Sequence, residues 1–314
     1  MVLIYLPKIS NRANYIFQLM FSDLLGIEYK LTSSLEEYSA FRGPRIFYAN
    51  EPAEEGLFIL CNDILFQNEI TYKETSISQL NSIPILFSHG DSRSALPFDP
   101  FAAAFYVVTR YEEYLTVELD RFGRFKATKS VAHEHNFLHI PIVHYWGKFL
   151  LEELMKRFPE INPVYKTFSF VATIDIDHAY AYGHRSAKRT FGGYLRDLKR
   201  VDFKSMIHRT SVLLGSSNDP YNIYDMLNEL HGAYDINCLY FILFADYRGH
   251  DNNVSLTDKD FRSLIKRLDS YGVVGIHPSL SSNRRMSILE DEIYGLSDLL
   301  ERDILISRQH FLKF

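Results

Sequence analysis

The hydrophobic pattern of the chain changes character near residue 166. Before it, short apolar runs stand apart among longer polar stretches. Val2–Leu6, Leu57–Leu60 and Ile83–Phe87 are rich in Leu, Ile, Val and Phe, and each predicts a strand. Tyr15, Ile16, Leu19, Met20 and Leu24 recur at helical spacing and predict a helix over Ala13–Leu25. Pro97-Phe98-Asp99-Pro100 opens a second helix, Phe101–Leu115, which ends in the amphipathic Tyr111-Glu112-Glu113-Tyr114. Phe149–Phe158 reads as a third, and the two prolines of Pro159–Lys166 mark a boundary. Residues 1–165 are therefore expected to form a mixed α/β domain.

Beyond the boundary, strand and helix patterns alternate. Phe168–Ile174 has the composition of a strand buried on both faces. A long, basic, partly helical excursion follows, His184–Val212, then the turn cluster Gly215–Pro220 and a helix over Tyr221–Tyr234. Cys238–Ala245 reads as the next strand. Thr257 is the expected cap of a helix with the stripe Phe261, Leu264, Ile265, Leu268 and Tyr271, which Gly272 stops. After the strand Val273–Ile276, Ser287-x-x-Glu290 forms a capping box for a helix through Leu300, with Ile293, Leu296 and Leu300 inward. Ile304–Ile306 is the last strand. This alternation predicts parallel βαβ units.

Polar residues fall where these strands end: Asp175 and Asp177, then Asp246, then His277, then Arg308 and His310. In a (β/α) barrel that end carries the active site, because the loops converge there. Asp175 and Asp177 lie two apart, so a strand points them to one side. Two adjacent carboxylates repel each other unless a cation or proton lies between them. The pair points to a metal ion or to an acid and a base, against the plainer reading that it caps the next helix. Four strands do not close a barrel, which takes about eight. The expected fold of residues 166–314 is thus a partial, distorted (β/α) barrel, incomplete at its C-terminus.

Composition narrows the picture. A length of 314 residues suits two domains, and 46% hydrophobic content suits packed cores rather than disorder. A net charge of −5 without a long basic run argues against nucleic acid as a partner. Cys61 and Cys238 stand far apart, as in a reducing compartment, and the N-terminus lacks a basic segment and a cleavage site. No apolar run reaches bilayer length. A cytoplasmic protein without a transmembrane segment is expected, and open strand edges leave a homo-oligomer open. His133, His135, His139 and His144 cluster near Trp146, but with no carboxylate or Cys in register they read as surface or hydrogen-bonded histidines.

Thr173–Asp177 (TIDID), Gly275–Ser279 (GIHPS) and Ser307–Phe314 (SRQHFLKF) resemble the first three motifs of the polysaccharide deacetylases, the NodB-homology or carbohydrate esterase family 4 group. Leu96–Leu115 resembles the signature of a Bacteroidetes-type bacterial branch with an extra N-terminal domain of unassigned role. The resemblance implies a divalent metal, with zinc the expected one, and removal of N- or O-acetyl groups from a sugar or polysaccharide. It implies Asp175 as general base, Arg308 as the residue that orients it, and Asp177 and His277 as metal ligands. The family's acidic pair is adjacent, whereas Ile176 intervenes here. The second motif's repeated His falls on Ser281, so His310 or His178 is the candidate substitute ligand. The later motifs, including the usual general-acid His, are not found.

His178, Tyr180, Tyr182, Asp246, Tyr247 and Ser279 form the expected substrate-binding set, the tyrosines stacking on sugar rings or packing in core or rim. Two other functions remain open. One is a metal-dependent glycosyltransferase using Asp175 and Asp177 as an Asp-x-Asp motif, although no glycine-rich phosphate loop lies nearby. The other is a non-catalytic, glycan-binding relative.

Overall fold

A computed structural model describes residues 1–53, 55–115, 118–164, 166–246, 251 and 253–312. The chain forms two compact units, Met1–Thr167 and Phe168–Phe314. Each is mixed α/β with parallel strand pairing.

The first unit is built on four parallel strands, β1 (Val2–Tyr5), β2 (Tyr29–Thr32), β3 (Arg45–Ala49) and β4 (Leu57–Leu60), in the order β2-β1-β3-β4. Alternation along the strands supplies two faces. Val2, Ile4, Ile46, Tyr48, Leu57 and Ile59 join a large core with α1 (Asn11–Phe17), α3 (Pro100–Val108) and α5 (Ile142–Arg157). Leu3, Phe47 and Phe58 point to a smaller cluster containing Tyr38 of α2 (Leu35–Ala40). The expected helix over Ala13–Leu25 is α1 continued by a π-helical stretch, Gln18–Leu25. Gly26 closes it in the left-handed region, where a Cβ would meet the Val164 carbonyl oxygen at 2.0 Å. Ile83–Phe87 is shorter than expected. Its first residues form β6 (Ile83–Ile85), the second arm of a hairpin with β5 (Ser78–Leu80).

The start of α3 is set by Asp99, whose carboxylate accepts from the Phe101 and Ala102 N–H groups, and by Pro100 beside it. The same buried carboxylate accepts from the Tyr48 hydroxyl at 2.6 Å and the Asn62 N–H at 2.7 Å. A single turn, α4 (Val131–Glu134), precedes α5.

The second unit has three parallel strands, β7 (Val171–Ile176), β8 (Asn237–Ile242) and β9 (Val273–Ile276), in the order β7-β8-β9. Helices α6 (Ala187–Lys199), α7 (Phe203–Leu213) and α8 (Tyr224–Ala233) connect β7 to β8, α9 (Lys259–Tyr271) connects β8 to β9, and α10 (Met286–Leu300) follows β9. The apolar stripe Phe261, Leu264, Ile265 and Leu268 of α9 packs with Tyr240, Ile242, Val274 and Ile276.

Several details depart from expectation. The first strand of this unit is not buried on both faces. It begins at Val171 rather than Phe168 and is the edge of the sheet, with Val171 45% exposed and Phe168 and Phe170, ahead of the strand, 88% and 60% exposed. The cap of α9 is Asp258 rather than Thr257, because the Asp258 carboxylate reaches the Asp260 and Phe261 N–H groups. Ser287 lies inside α10, which has no side-chain cap. Ile304–Ile306 is not a regular strand, and the segment pairs with β9 through one parallel bridge, Ile276 to Ser307. Gly275 permits this approach, since a Cβ there would meet the Ile306 carbonyl oxygen at 2.6 Å.

Candidate metal centre

The strand ends position the site. Asp177 follows β7, and His277 follows β9, where its N–H donates to the Ile242 carbonyl at 2.8 Å. The segment after α10 runs beside β9 through Ile276 N–H to the Ile306 carbonyl and Arg308 N–H to the Ile276 carbonyl. His310 is fixed by its own N–H donating to the Pro278 carbonyl at 3.1 Å.

Asp177, His277 and His310 thereby meet, with one donor atom from each within 4.8 Å of the others. His277 Nε2 lies 3.1 Å from Asp177 Oδ1, and His310 Nε2 lies 3.8 Å from Asp177 Oδ2. Both imidazoles are buried while Asp177 remains half exposed. A proton on His277 Nε2, donated to the carboxylate, with help from His310 and His178, would hold the Asp177 carboxyl below the usual carboxylate range against its partial burial.

The orientation of His277 carries the most information. Its Nδ1 is 2.5 Å from the Arg308 carbonyl oxygen, which can only accept, so Nδ1 holds the proton. In the neutral ring Nε2 then presents a lone pair toward Asp177 Oδ1. That oxygen is buried and lacks a hydrogen-bond partner, despite the 3.1 Å approach. Two lone pairs facing each other at this range call for a cation or a proton between them. A ring nitrogen tied to a backbone carbonyl is the usual support of a metal-bound histidine.

His310 is supported differently. Its Nδ1 lies 3.4 Å from Asp251 Oδ1, and its ring stacks on Phe311 at 4.3 Å. Asp251 is 2% exposed. Burial pushes its carboxyl up, but the His310 ring and the Leu280 and Ser281 donors outweigh burial and hold it below its ordinary value. Ser281 donates its hydroxyl to Asp251 at 3.0 Å and so supports His310 indirectly.

Asp175 has a different neighbour from Asp177. Its Oδ1 lies 3.4 Å from Arg308 Nη1, which also donates to the Thr173 hydroxyl at 2.8 Å. Asp175, Asp177 and His178 line a groove of about 310 Å³ whose far wall is Pro220, Tyr221 and Ile223. His178 is exposed in this groove. Asp246 follows β8 and lines two further cavities.

The remaining expected substrate contacts divide. Tyr180 is buried in the core at 8% exposure, so it packs rather than presenting a face to a sugar. The ring of Tyr182 is covered by the Arg209 guanidinium, 4.6 Å from its centre. Ser279 is 1% exposed, and both its N–H and its hydroxyl are spent on the Glu292 carboxylate, which burial pushes up. Tyr247 lies outside the described residues. Tyr221, half exposed on the groove wall, is the aromatic residue beside Asp175 and Asp177 that the sequence did not single out.

Sequence reasoning also missed Asp251 and Asn253. Asn253 is buried, and its amide donates to the Leu243 and Ile176 carbonyls while accepting from the Ala179 N–H. It thus ties together the ends of β7 and β8. Neither residue sits at a strand end, so the register that exposed the others carried no signal for them. Among the described residues, one other group could hold a metal, His184 with Asp258 and Asp260, and the N-terminal histidines join neither group.

The family of unknown function DUF7033 matches residues 2–159, half of the chain, and the chain belongs to that family. The match covers the first unit and stops short of every residue of the metal centre. No curated protein and no solved structure matches the chain. Among the described residues, no helix is long and apolar enough to cross a membrane.

Proposed function

We propose that the chain is a metal-dependent, deacetylase-like hydrolase that removes N- or O-acetyl groups from a sugar or polysaccharide precursor, with zinc as its metal. The observation that carries this reading is the unpartnered Asp177 Oδ1 facing His277 Nε2, with His310 alongside. On this reading β7–β9 belong to a distorted (β/α) barrel whose chemistry sits at the C-terminal strand ends. When bound, a divalent cation supplies a water of lowered pKa and a Lewis acid for the acetyl carbonyl.

The chain's own residues do the rest. Asp177, His277 and His310 hold the ion, Asp251 and the Arg308 carbonyl fix the two rings, and the Arg308 guanidinium orients Asp175 to accept a proton. Tyr221 offers a ring to the sugar across the groove. An Asp-x-Asp glycosyltransferase site is less well supported, because Asp175 and Asp177 face different partners.

Elemental analysis of the purified chain tests the reading, paired with acetate release from acetylated chitooligosaccharides. The expected result is about one zinc per chain, lost in Asp177→Ala and His277→Ala together with acetate release. A chain that takes up no metal after incubation with zinc overturns it.

A further inference from the structure

Helices α6 and α7 take no part in the metal centre, and the pair is built inside out. Its inner seam is polar. Asp197 of α6 and Arg209 of α7 are both buried and lie 2.6 Å apart, and the guanidinium sits 4.6 Å from the centre of the Tyr182 ring. Gly193 admits it, since a Cβ there would meet Arg209 Nη1 at 2.6 Å.

The outer face is apolar. Phe191, Leu195 and Leu198 recur along α6 at helical spacing, and Phe203, Ile207 and Leu214 along α7 and its C-cap, each between 46% and 78% exposed. A surface helix ordinarily turns such a stripe toward the core. Tyr194 lies one turn from Phe191 and Leu198, and Thr210 one turn from Ile207 and Leu214. Their hydroxyls share a hydrogen bond at 2.7 Å, so the two stripes adjoin. Val201, between the helices, is exposed as well and extends a single patch. Cations border it. Lys188 and Lys199 follow the α6 stripe along one flank, and Lys204 lies beside Ile207. Residues 187–213 hold seven Lys and Arg against two Asp. Asp197 is held in the seam by Arg209 and also meets Arg196, and Asp202 caps α7 beside Lys204 and Arg200. With both acids counted, the rim of the patch stays positive.

We propose that the outer face of α6 and α7 docks on an anionic lipid bilayer, with both helices lying in the plane of the interface. The apolar stripes enter the boundary between headgroups and acyl chains, as amphipathic helices do without crossing the bilayer. The flanking lysines bury their stems beside the stripes and carry their charges to the lipid phosphates. Charge complementarity selects this occupant. A second copy would bring the same lysines face to face across a twofold axis, whereas an anionic surface neutralises them. The proposal goes beyond the deacetylase reading and does not depend on it.

Co-sedimentation of the full chain with lipid vesicles tests this directly. Vesicles of phosphatidylcholine with roughly a third phosphatidylglycerol should bind the chain about tenfold or more tightly than phosphatidylcholine alone. Sodium chloride at about 1 M, which shortens screening to ~3 Å, should weaken that binding. Ile207→Ser should lower partitioning about tenfold to a hundredfold, and Lys199→Ala about fivefold. Phe168→Ser removes an exposed aromatic outside the pair and should leave partitioning unchanged. All three positions are exposed, so the variants should keep the parent circular dichroism spectrum. No binding, equal binding to both lipids, insensitivity to Ile207→Ser and Lys199→Ala, or an equal loss in Phe168→Ser overturns the proposal. A dimer in sedimentation that Ile207→Ser dissociates, in a chain that binds no vesicles, assigns the face to a second copy and overturns it as well.

Discussion

Asp99 gives the first unit its most quantifiable weak point. The carboxylate is 1% exposed and accepts four hydrogen bonds, two from the first turn of α3 and one each from the Tyr48 hydroxyl and the Asn62 N–H. Asp99→Ala strands the last two donors at about 1–3 kcal/mol each and uncaps α3 at about 1 kcal/mol. The sum, about 3–7 kcal/mol, is comparable with the ~5–15 kcal/mol that holds a typical domain. Asp99→Asn keeps one oxygen for the cap, and the Tyr48 hydroxyl can turn to accept from the new amide. Only the Asn62 N–H is then left over, about 1–3 kcal/mol.

The pH dependence has a definite sign. Burial raises the Asp99 carboxyl from 3.8 to about 6, against the opposing pull of its four donors. A raised folded-state value means that the group's stabilising contribution is present below about pH 4 and is lost as pH climbs through about 6. The difference is worth roughly 3 kcal/mol. Neither substituted residue titrates, so the estimates above, which count the ionised carboxylate, apply near pH 7, and each deficit should grow by roughly 3 kcal/mol toward pH 4. Urea unfolding followed by the single tryptophan reports on this unit, because Trp146 is buried and its ring lies 6.1 Å from that of Phe98. A deficit that stays constant or grows with pH would show that the donors outweigh burial. An alanine variant as stable as the asparagine variant would refute the hydrogen-bond accounting.

Two further predictions concern the second unit. Asp251→Asn should lower zinc affinity about tenfold to a hundredfold, read by competition with a chromophoric chelator, because His310 loses the charge that orients it. Unchanged affinity would remove Asp251 from the site. Asp197→Ala should cost about 3–5 kcal/mol in denaturant titrations followed by circular dichroism, since it leaves the Arg209 guanidinium, 1% exposed and 2.6 Å from Asp197, without a counter-charge. Asp197→Leu combined with Arg209→Met should recover most of that loss, and a double variant as weak as the single one would refute the argument.

Much of the candidate site was legible because a parallel strand is apolar along its length and turns polar where it surfaces. That rule led to Asp177, His277, Arg308 and His310. It could not reach Asp251 or Asn253, whose roles arise from loop geometry and not from register. The exposure of Phe168 and Phe170, and of the edge strand that follows them, was hidden for the opposite reason: composition reports what a segment could bury, not whether a neighbour covers it. In the first unit, β3 was missed although all five of its residues are buried. It opens on Arg45, which reaches the Tyr38 carbonyl at 2.9 Å and pairs with Glu55, so its charge masked an interior strand. At α9, two adjacent capping residues competed, and the carboxylate of Asp258 prevailed over the hydroxyl of Thr257.

Arg308 serves the site with two chemically separate parts. Its carbonyl fixes the proton of His277, while its guanidinium holds Asp175. Side-chain replacement reaches only the second part, so a mild phenotype for Arg308→Ala would describe half of what the residue does. The first part belongs to the path of the backbone, and it would tolerate any residue at 308 that keeps the bridge between Ile276 and Ser307. A slip of that segment by one position would turn the guanidinium away and move the carbonyl in the same step. The insertion or deletion of a single residue after α10 is therefore a more severe lesion here than any substitution at Arg308 itself.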